Sequence, residues 1–210
     1  VIISILFFIA LGLLIFGWKA PRQKMDTSKT STATMASPAK SPVSDARLKK
    51  PIEGFDSRIT KKPFGIFVTP QNSPVNPERF TGFHTAVDVE FEDGAEDVPV
   101  YAVADGQIVL SQTASGYGGV FMLKFAVDGV SHNAVYGHIR PSSLPEKGRY
   151  VKQGEEIGIL GAGFSAETDS ERRHLHFGVL SNDRIDLRGY VQSKNELSGW
   201  VNPLNFKYLE

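Results

Sequence analysis

The sequence predicts an all-β fold made of antiparallel sheets that fold on each other. From about Pro51 onward, short apolar runs with many β-branched residues alternate with turns that contain Gly. This part of the sequence has no long segment with the 3.6-residue periodicity of an amphipathic helix. The pairs Asp105-Gly106 and Asp128-Gly129 lie between apolar runs and favour two-residue hairpin turns. Many short strands joined in this way are typical of β-sandwiches and related folds.

The strand segments are predicted from these runs and turns, and the first six of them form three hairpins. They cover residues 98–102, 107–111, 120–127, 130–139, 150–152, 157–160 and 175–180. Residues 51–83 contain several prolines and are expected to be irregular, either wrapping the sheet or shaping one wall of a cleft.

The composition excludes several kinds of site. The 210-residue chain contains no cysteine, so it has no disulfide, thiolate zinc site, cysteine nucleophile or cysteine-linked lipid. Any metal site must use His, Asp or Glu. Residues 19–50 carry eight Lys/Arg and two Asp (+6), and residues 51–210 carry 15 Lys/Arg and 21 Asp/Glu (−6). An acidic folded part argues against nucleic acid as a partner.

The first 18 residues form an uncharged apolar run. As a helix this run would extend roughly 27 Å, close to the hydrocarbon core of a bilayer at about 30 Å. The residues after it show no small-x-small cleavage site, so a retained transmembrane anchor is favoured over a cleaved signal peptide. Lys19, Arg22 and Lys24 come directly after the run, and by the positive-inside rule they favour a cytoplasmic location for the rest of the chain.

Three regions result: an anchor or signal segment (1–18), a linker (19–50) and a folded domain (51–210). The linker is rich in Ser, Thr, Ala, Pro and Lys and has almost no large apolar residues. Such a segment cannot bury enough surface to fold, so we expect a disordered tether.

The segment Arg173–Val179 carries two histidines with alternate spacing. As a β-strand it points His174, His176 and Gly178 to one face and three apolar side chains to the other. The apolar face belongs in a core. The two imidazoles, about 6–7 Å apart along the strand, could serve as a metal ligand and a neighbouring catalytic base.

The other three histidines lie in separate segments. His84 precedes Asp88 by four residues, His138 follows a Tyr-Gly pair, and His132 is interpreted as an ordinary strand residue. Along a straight strand His84 and Asp88 would be about 13 Å apart, too far to share a metal. The chain must therefore bend between them, and Gly82 is expected to provide the turn.

A zinc site is the chemistry that these residues favour. A catalytic zinc usually takes three protein ligands and leaves one position for water. His84, Asp88 and one histidine of the pair would form such a site. His138 and the remaining histidine could act as general base and as donor to an oxyanion. The residues alone leave open whether His174 or His176 binds the metal.

The order His-x3-Asp, Tyr-Gly-His and His-Leu-His-Phe resembles that of the lysostaphin-type, LytM-like zinc metallopeptidases. These enzymes cleave peptide cross-links or stem peptides of bacterial peptidoglycan. The similarity runs from about residue 63 to 206. Further segments that resemble the family are 98–106, 116–119, 151–158 and 201–204.

The resemblance implies a particular fold and particular roles. The implied fold is the duplicated hybrid motif, a compact set of antiparallel sheets with the site in a groove. Zn²⁺ would be bound by His84, Asp88 and His176, and His138 and His174 would be the catalytic histidines.

The chain departs from the family pattern near the groove. Ala86 and Gly178 stand where Gly and Glu are usual, Arg172-Arg173 stands where Gly-Pro is common, and the segment 182–200 is longer. None of these departures is expected to touch a metal or catalytic position.

The expected function is hydrolysis of peptidoglycan peptides in cell-wall remodelling, by a single-pass protein of the cytoplasmic membrane. Because the substrate lies outside that membrane, the domain is expected to face the wall or periplasm despite the basic residues after the apolar run. The protein would be secreted if residues 1–18 were removed. The alternative is an inactive family member that binds the wall and activates another hydrolase. Nothing in the sequence indicates an oligomeric state.

Overall fold

The computed structural model describes residues 47–209 except residues 93 and 95. The predicted anchor (1–18) and most of the predicted linker (19–50) lie outside the described residues. Leu48 is buried, and its backbone N–H donates to Lys207 O (2.8 Å), so folded structure extends at least three residues before residue 51. Among the described residues, no helix has the length and apolar character needed to cross a membrane.

The described part of the chain consists almost entirely of short strands, which confirms the all-β prediction. It contains one four-residue helix, α1 (Lys194–Leu197), and three single 3₁₀ turns. The strands are β1 (Phe67–Val68), β2 (Gly82–His84), β3 (Ala86–Glu90), β4 (Pro99–Tyr101), β5 (Gly106–Ala114), β6 (Gly118–Val127), β7 (Val130–Ile139), β8 (Tyr150–Val151), β9 (Glu156–Ile159), β10 (His174–Leu180), β11 (Tyr190–Val191) and β12 (Trp200–Val201).

These strands form three sheets in which every pair is antiparallel. The largest has the order β12-β10-β7-β6-β5-β8, and β3 also pairs with β10. Strand β10 is therefore hydrogen-bonded along both edges. β7 pairs with one edge, while β3 and then β12 pair with successive parts of the other edge. The smaller sheets are β1-β2-β11 and β4-β9.

The apolar face of β10 lies in the main core, as its alternation predicts. Leu175, Phe177 and Val179 are all fully buried. The Phe177 ring packs edge-on against Tyr136 (centroids 5.1 Å) and Phe55 (5.7 Å). Burial of each such side chain stabilises the fold by roughly 1.5–3 kcal/mol. This packing fixes β10, and with it the histidines on the opposite face.

One of the predicted hairpins is confirmed and two are wrong. β6 and β7 form a hairpin at Asp128-Gly129, where both residues have positive φ (49° and 78°), as a tight hairpin turn requires. The segments flanking Asp105-Gly106 do not pair, because β4 pairs with β9 while β5 pairs with β6 and β8. For the same reason β8 and β9 form no hairpin around Gln153.

Neither of these two hairpins forms, because the chain crosses from one sheet to another at each turn. The Val103 carbonyl accepts from Lys49 N (2.8 Å) and Gln153 Nε2 (3.0 Å), and the Val103 N–H donates to the Tyr136 hydroxyl (3.1 Å). The Asp105 carboxylate accepts from Gln153 N (2.8 Å). These long-range bonds satisfy polar groups of both turns. β4 and β9, the strands next to these turns, therefore pair with each other in the small sheet.

His138 is an extra residue in strand β7. Gly119 of β6 lies opposite Ile139, whereas the next residue, Val120, lies opposite Gly137. His138 therefore has no partner residue in β6 and forms a β-bulge, with φ at +63°. A residue with a Cβ is disfavoured in this left-handed conformation by roughly 1–2 kcal/mol.

The bulge puts His138 on the same face as the histidines of β10. In a regular strand, alternation would point His138 into the core beside Tyr136. Instead Tyr136 and Ile139 are both in the core, and the His138 ring lies 4.2 Å from the His174 ring, centroid to centroid. The left-handed backbone conformation of His138 costs conformational free energy, and it places a candidate catalytic side chain beside His174.

We expect His138→Gly to be more stable than His138→Ala by about 1 kcal/mol, because only glycine adopts positive φ without strain. At His132, a residue of the same strand without positive φ, alanine should be the more stable replacement. Urea unfolding of the four variants measures both differences. An alanine preference at position 138 as well would contradict the bulge.

Candidate active site

Four of the five predicted site residues line one cavity of about 310 Å³: Asp88, His138, His174 and His176. The fifth, His84, is fully buried directly behind it. The segment between β10 and β12 forms part of the rim through Leu187, Arg188, Gly189 and Tyr190. The structure thus brings together all five side chains that the sequence singles out. His132 lies elsewhere, where its Nδ1 donates to Leu180 O (2.9 Å) and its ring packs against Phe125.

Strand pairing explains how His84, Asp88 and His176 meet. Asp88 of β3 lies directly opposite His176 of β10. His84 ends β2, which belongs to a different sheet, and the chain changes sheets at Thr85. The bend that the sequence requires is therefore at Thr85. The expectation that Gly82 provides it is wrong.

The bend at Thr85 is held by two bonds to the rim segment. Thr85 N–H donates to Gly189 O (3.0 Å), and Thr85 Oγ1 donates to Arg188 O (2.8 Å). Gly82 has another function, since a Cβ there would lie 2.6 Å from Val191 O on the neighbouring strand.

Three ligand atoms form a nearly equilateral triangle. His84 Nε2, Asp88 Oδ1 and His176 Nδ1 lie 3.2 Å from one another along each edge. Zinc binds histidine nitrogen at about 2.0–2.1 Å, which corresponds to about 3.3–3.4 Å between ligands in a tetrahedral site. This group could hold a metal ion, and its spacing fits a small tetrahedral one.

The hydrogen bonds behind the two imidazoles fix their tautomers. His84 Nδ1 lies 3.3 Å from Pro63 O, which can only accept, so we assign the proton to Nδ1. The Tyr117 hydroxyl donates to Leu187 O (2.9 Å), so His176 Nε2 donates to Tyr117 Oη (3.3 Å). Both facing nitrogens then carry lone pairs. Two lone pairs and a carboxylate oxygen meet with no proton between them, and a cation would relieve their repulsion.

The Asp88 carboxyl is suited to remain ionised in this buried position. Burial opposes its ionisation, yet the charged Arg172 guanidinium beside it favours the ionised form, and the pKa of Asp88 lies well below its ordinary value. Arg172 Nη2 donates to Asp88 Oδ2 at 2.6 Å, so this oxygen is already engaged while Oδ1 belongs to the triangle.

His138 and His174 lie beside the triangle as neutral imidazoles. Burial lowers the pKa of His138 to about 3, and His176 and Arg172 act in the same direction. Burial also holds the pKa of His174 well below its ordinary value. His174 Nδ1 donates to Arg172 O (2.8 Å), which leaves a lone pair on Nε2. His138 Nδ1 is buried and has no hydrogen-bond partner among the described residues.

Sequence reasoning missed Arg172. The departure at Arg172-Arg173 was expected to touch no metal or catalytic position, and the structure contradicts this because Arg172 bonds directly to Asp88. A signal was present in β3, where Asp88 and Glu90 share one face. Two carboxylates side by side, one buried and one partly buried, favour a cation between them, and Arg172 bonds to both.

Sequence reasoning also missed the contact between Tyr117 and His176. The Tyr117 ring lies over Gly137, where an added Cβ would be 2.4 Å from Tyr117 Cδ1. The glycine of the Tyr-Gly-His motif thus leaves room for the ring that supports His176. The Tyr-Gly-His motif can be recognised in the sequence, but the packing of Tyr117 over its glycine cannot.

The family is decided by a match over residues 82–187, about half of the chain, to the model of Peptidase family M23. The chain belongs to Peptidase family M23. This confirms the resemblance drawn from its histidine motifs. The matched range contains all five candidate residues and ends in the rim segment of the cavity. No curated protein matches this M23 chain.

Solved structures show similarity over most of the chain. The orthorhombic crystal structure of Helicobacter pylori Csd3 is 26% identical over 78% of this chain and 35% of its own, with a TM-score of 0.48. LytU is 22% identical over 68% of this chain and 79% of its own (TM-score 0.44). A chain of the SpoIIQ-SpoIIIAH pore forming complex is 21% identical over 79% and 93% (TM-score 0.49). The chain spans only about a third of the length of Csd3.

Acid should destabilise the metal-free protein between pH 6.5 and 4.5. The pKa of His138 falls from 6.5 in the unfolded chain to about 3 in the folded chain, so the unfolded state binds more protons in this range. Stability therefore falls as the pH falls, by about 2 kcal/mol for His138. His174 and His176 contribute in the same direction.

Urea unfolding in the presence of a chelator, repeated across this pH range, measures the slope. His138→Asn, which tolerates positive φ, should have a shallower slope than the parent. An equal slope in the variant would show that His138 titrates normally in the folded protein.

Proposed function

We propose that this protein is a zinc-dependent endopeptidase that hydrolyses peptide bonds in peptidoglycan cross-links or stem peptides during cell-wall remodelling. The observation that carries the proposal is the triangle of His84 Nε2, Asp88 Oδ1 and His176 Nδ1, which lie 3.2 Å from one another. Membership of Peptidase family M23 supports the reaction class. The resemblance to the LytM-like enzymes supports peptidoglycan as the substrate.

His84, Asp88 and His176 are the proposed zinc ligands. When bound, zinc polarises a carbonyl and lowers the pKa of water to about 7. The backbone carbonyl of Pro63 and the hydroxyl of Tyr117 orient the two imidazoles. Ligands held in this way need little reorganisation to bind the ion.

His138 and His174 are the proposed catalytic residues. Both are neutral at pH 7 because burial lowers their pKa values, so each can accept a proton. His174 would use Nε2, since Nδ1 is bonded to the Arg172 carbonyl. In its protonated form, the histidine that has accepted the proton can donate to the oxyanion that develops at the scissile carbonyl. The unpaired Nδ1 of His138 would gain a partner from a group bound in the cavity.

The full chain, kept in solution with detergent and loaded with Zn²⁺, should release peptide fragments from purified cross-linked peptidoglycan. Mass spectrometry of the fragments identifies the bond that is cut. His176→Ala should lose both zinc and cleavage, because it removes a ligand. His174→Ala should keep zinc and lose about 10²- to 10⁴-fold in rate, because it removes only proton transfer. His132→Ala, a buried histidine outside the cavity, is the matched control and should cleave normally.

A folded, zinc-loaded protein that releases no fragments would contradict the enzyme. It would favour the alternative of a catalytically inactive member that binds the wall and activates another hydrolase. A protein that takes up no zinc would contradict the metal site itself.

We also propose that residues 1–18 hold the protein in the cytoplasmic membrane, that residues 19–47 tether it, and that the domain faces the cell wall or periplasm. The apolar run at the start of the sequence and the location of peptidoglycan support this arrangement. In spheroplasts of a host that produces the full chain, protein should sediment with membranes, and added protease should degrade the domain. A domain protected from external protease would contradict the orientation, and a soluble protein would contradict the anchor.

A further inference from the structure

Arg172 is a buried arginine that links two carboxylates of strand β3. Its Nη2 donates to Asp88 Oδ2 (2.6 Å) and Glu90 Oε1 (2.7 Å), and its Nε donates to Glu90 Oε2 (2.9 Å). The side chain of Arg172 is 7% exposed, and that of Asp88 is 2% exposed. A charged side chain is rarely buried to this extent without partners. Here the guanidinium fork is anchored on Glu90 and also reaches Asp88.

The two oxygens of Asp88 have different surroundings. Oδ1 lies 3.2 Å from both His84 Nε2 and His176 Nδ1, in the ligand triangle. Oδ2 receives the bond from Arg172. A carboxylate free to rotate can bind a metal through one oxygen or through both. With Oδ2 engaged by Arg172, only Oδ1 is available.

We propose that Arg172 is a positioning residue that makes Asp88 a one-oxygen metal ligand and holds it in place before the metal binds. The inference rests on the proposed metal site and adds a residue that acts through Asp88 rather than on the substrate. Glu90 has a part in this arrangement, because its bidentate bond fixes the plane of the guanidinium. A lysine at position 172 would supply the positive charge but could not form this bidentate bond.

Positioning and charge make opposite predictions for metal affinity. If Arg172 acts only through its positive charge, its removal leaves a more negative site that binds a divalent cation more tightly. If Arg172 positions Asp88, its removal lets the carboxylate rotate, and affinity falls by about 10- to 100-fold, as is typical when a partner of a metal ligand is lost. The sign of the change therefore separates the two roles.

Co²⁺ is the probe, because its visible absorption reports coordination number whereas Zn²⁺ is silent. The full chain in detergent should show the intense absorption of a four-coordinate site. Arg172→Gln and Arg172→Lys should both show the weaker absorption of a higher-coordinate site and a weaker Co²⁺ affinity by chelator competition. The main-chain carbonyl of residue 172, which orients His174, is unchanged in both variants.

Arg173→Gln is the matched control. Arg173 is also buried, but it donates to the backbone carbonyls of Glu92, Gly94 and Glu96 and to no metal-ligand side chain. Its loss should lower stability and leave the Co²⁺ spectrum and affinity unchanged. If the Arg172 variants do not fold, Glu90→Gln tests the proposal instead. It weakens the bidentate bond between Glu90 and the guanidinium and keeps the bond from Arg172 to Asp88. It should shift the spectrum in the same direction by a smaller amount.

Three other results would each contradict the proposal, and each shows which part of it is wrong. A parent protein that binds no Co²⁺ overturns the metal site and the role of Arg172 with it. A parent that binds Co²⁺, with unchanged spectra in all variants, overturns the role of Arg172 alone. Tighter binding in Arg172→Gln with parental behaviour in Arg172→Lys overturns positioning and shows that only the charge acts.

Discussion

The candidate site depends on the pairing of β10 with strands on both of its edges. Because β3 and β7 flank β10, Asp88 lies on one side of His176 and Gly137 on the other. The opposite face of β10 is locked into the core by Leu175, Phe177 and Val179. Any slip of one residue would turn the histidines into the core and the apolar side chains into the cavity. Core packing and strand pairing therefore fix which face of β10 carries the histidines.

The polar face of this sheet is compatible with burial because its charged groups and the two imidazoles of the triangle have fixed partners. Arg172 is bonded to Asp88 and Glu90, while Tyr117 and the carbonyl of Pro63 support the two imidazoles of the triangle. The lone pairs that remain converge on one point, and a cation there would complete the network. Buried networks of this kind are rigid when they are fully satisfied, and they are unfavourable when one member is missing.

The sequence allowed the fold class, the strand carrying the histidine pair and the five candidate residues to be predicted, because alternation and motif spacing are local signals. Pairings decided by long-range contacts were not predictable. The turn at Asp105 resembles a hairpin in sequence, yet its backbone bonds go to Lys49 and Gln153. The contact of Arg172 with Asp88 was missed for the same reason. The bulge at His138 was hidden because it changes no residue type.

A crystal structure of the zinc-loaded protein, with anomalous data collected at the zinc edge, would test the proposed metal centre most directly. We expect one zinc peak, with His84 Nε2, Asp88 Oδ1 and His176 Nδ1 each at about 2.0–2.2 Å and Arg172 still bonded to Asp88 Oδ2. A peak coordinated by His138 or His174 in place of His176, or no peak in this cavity, would contradict the proposed zinc centre.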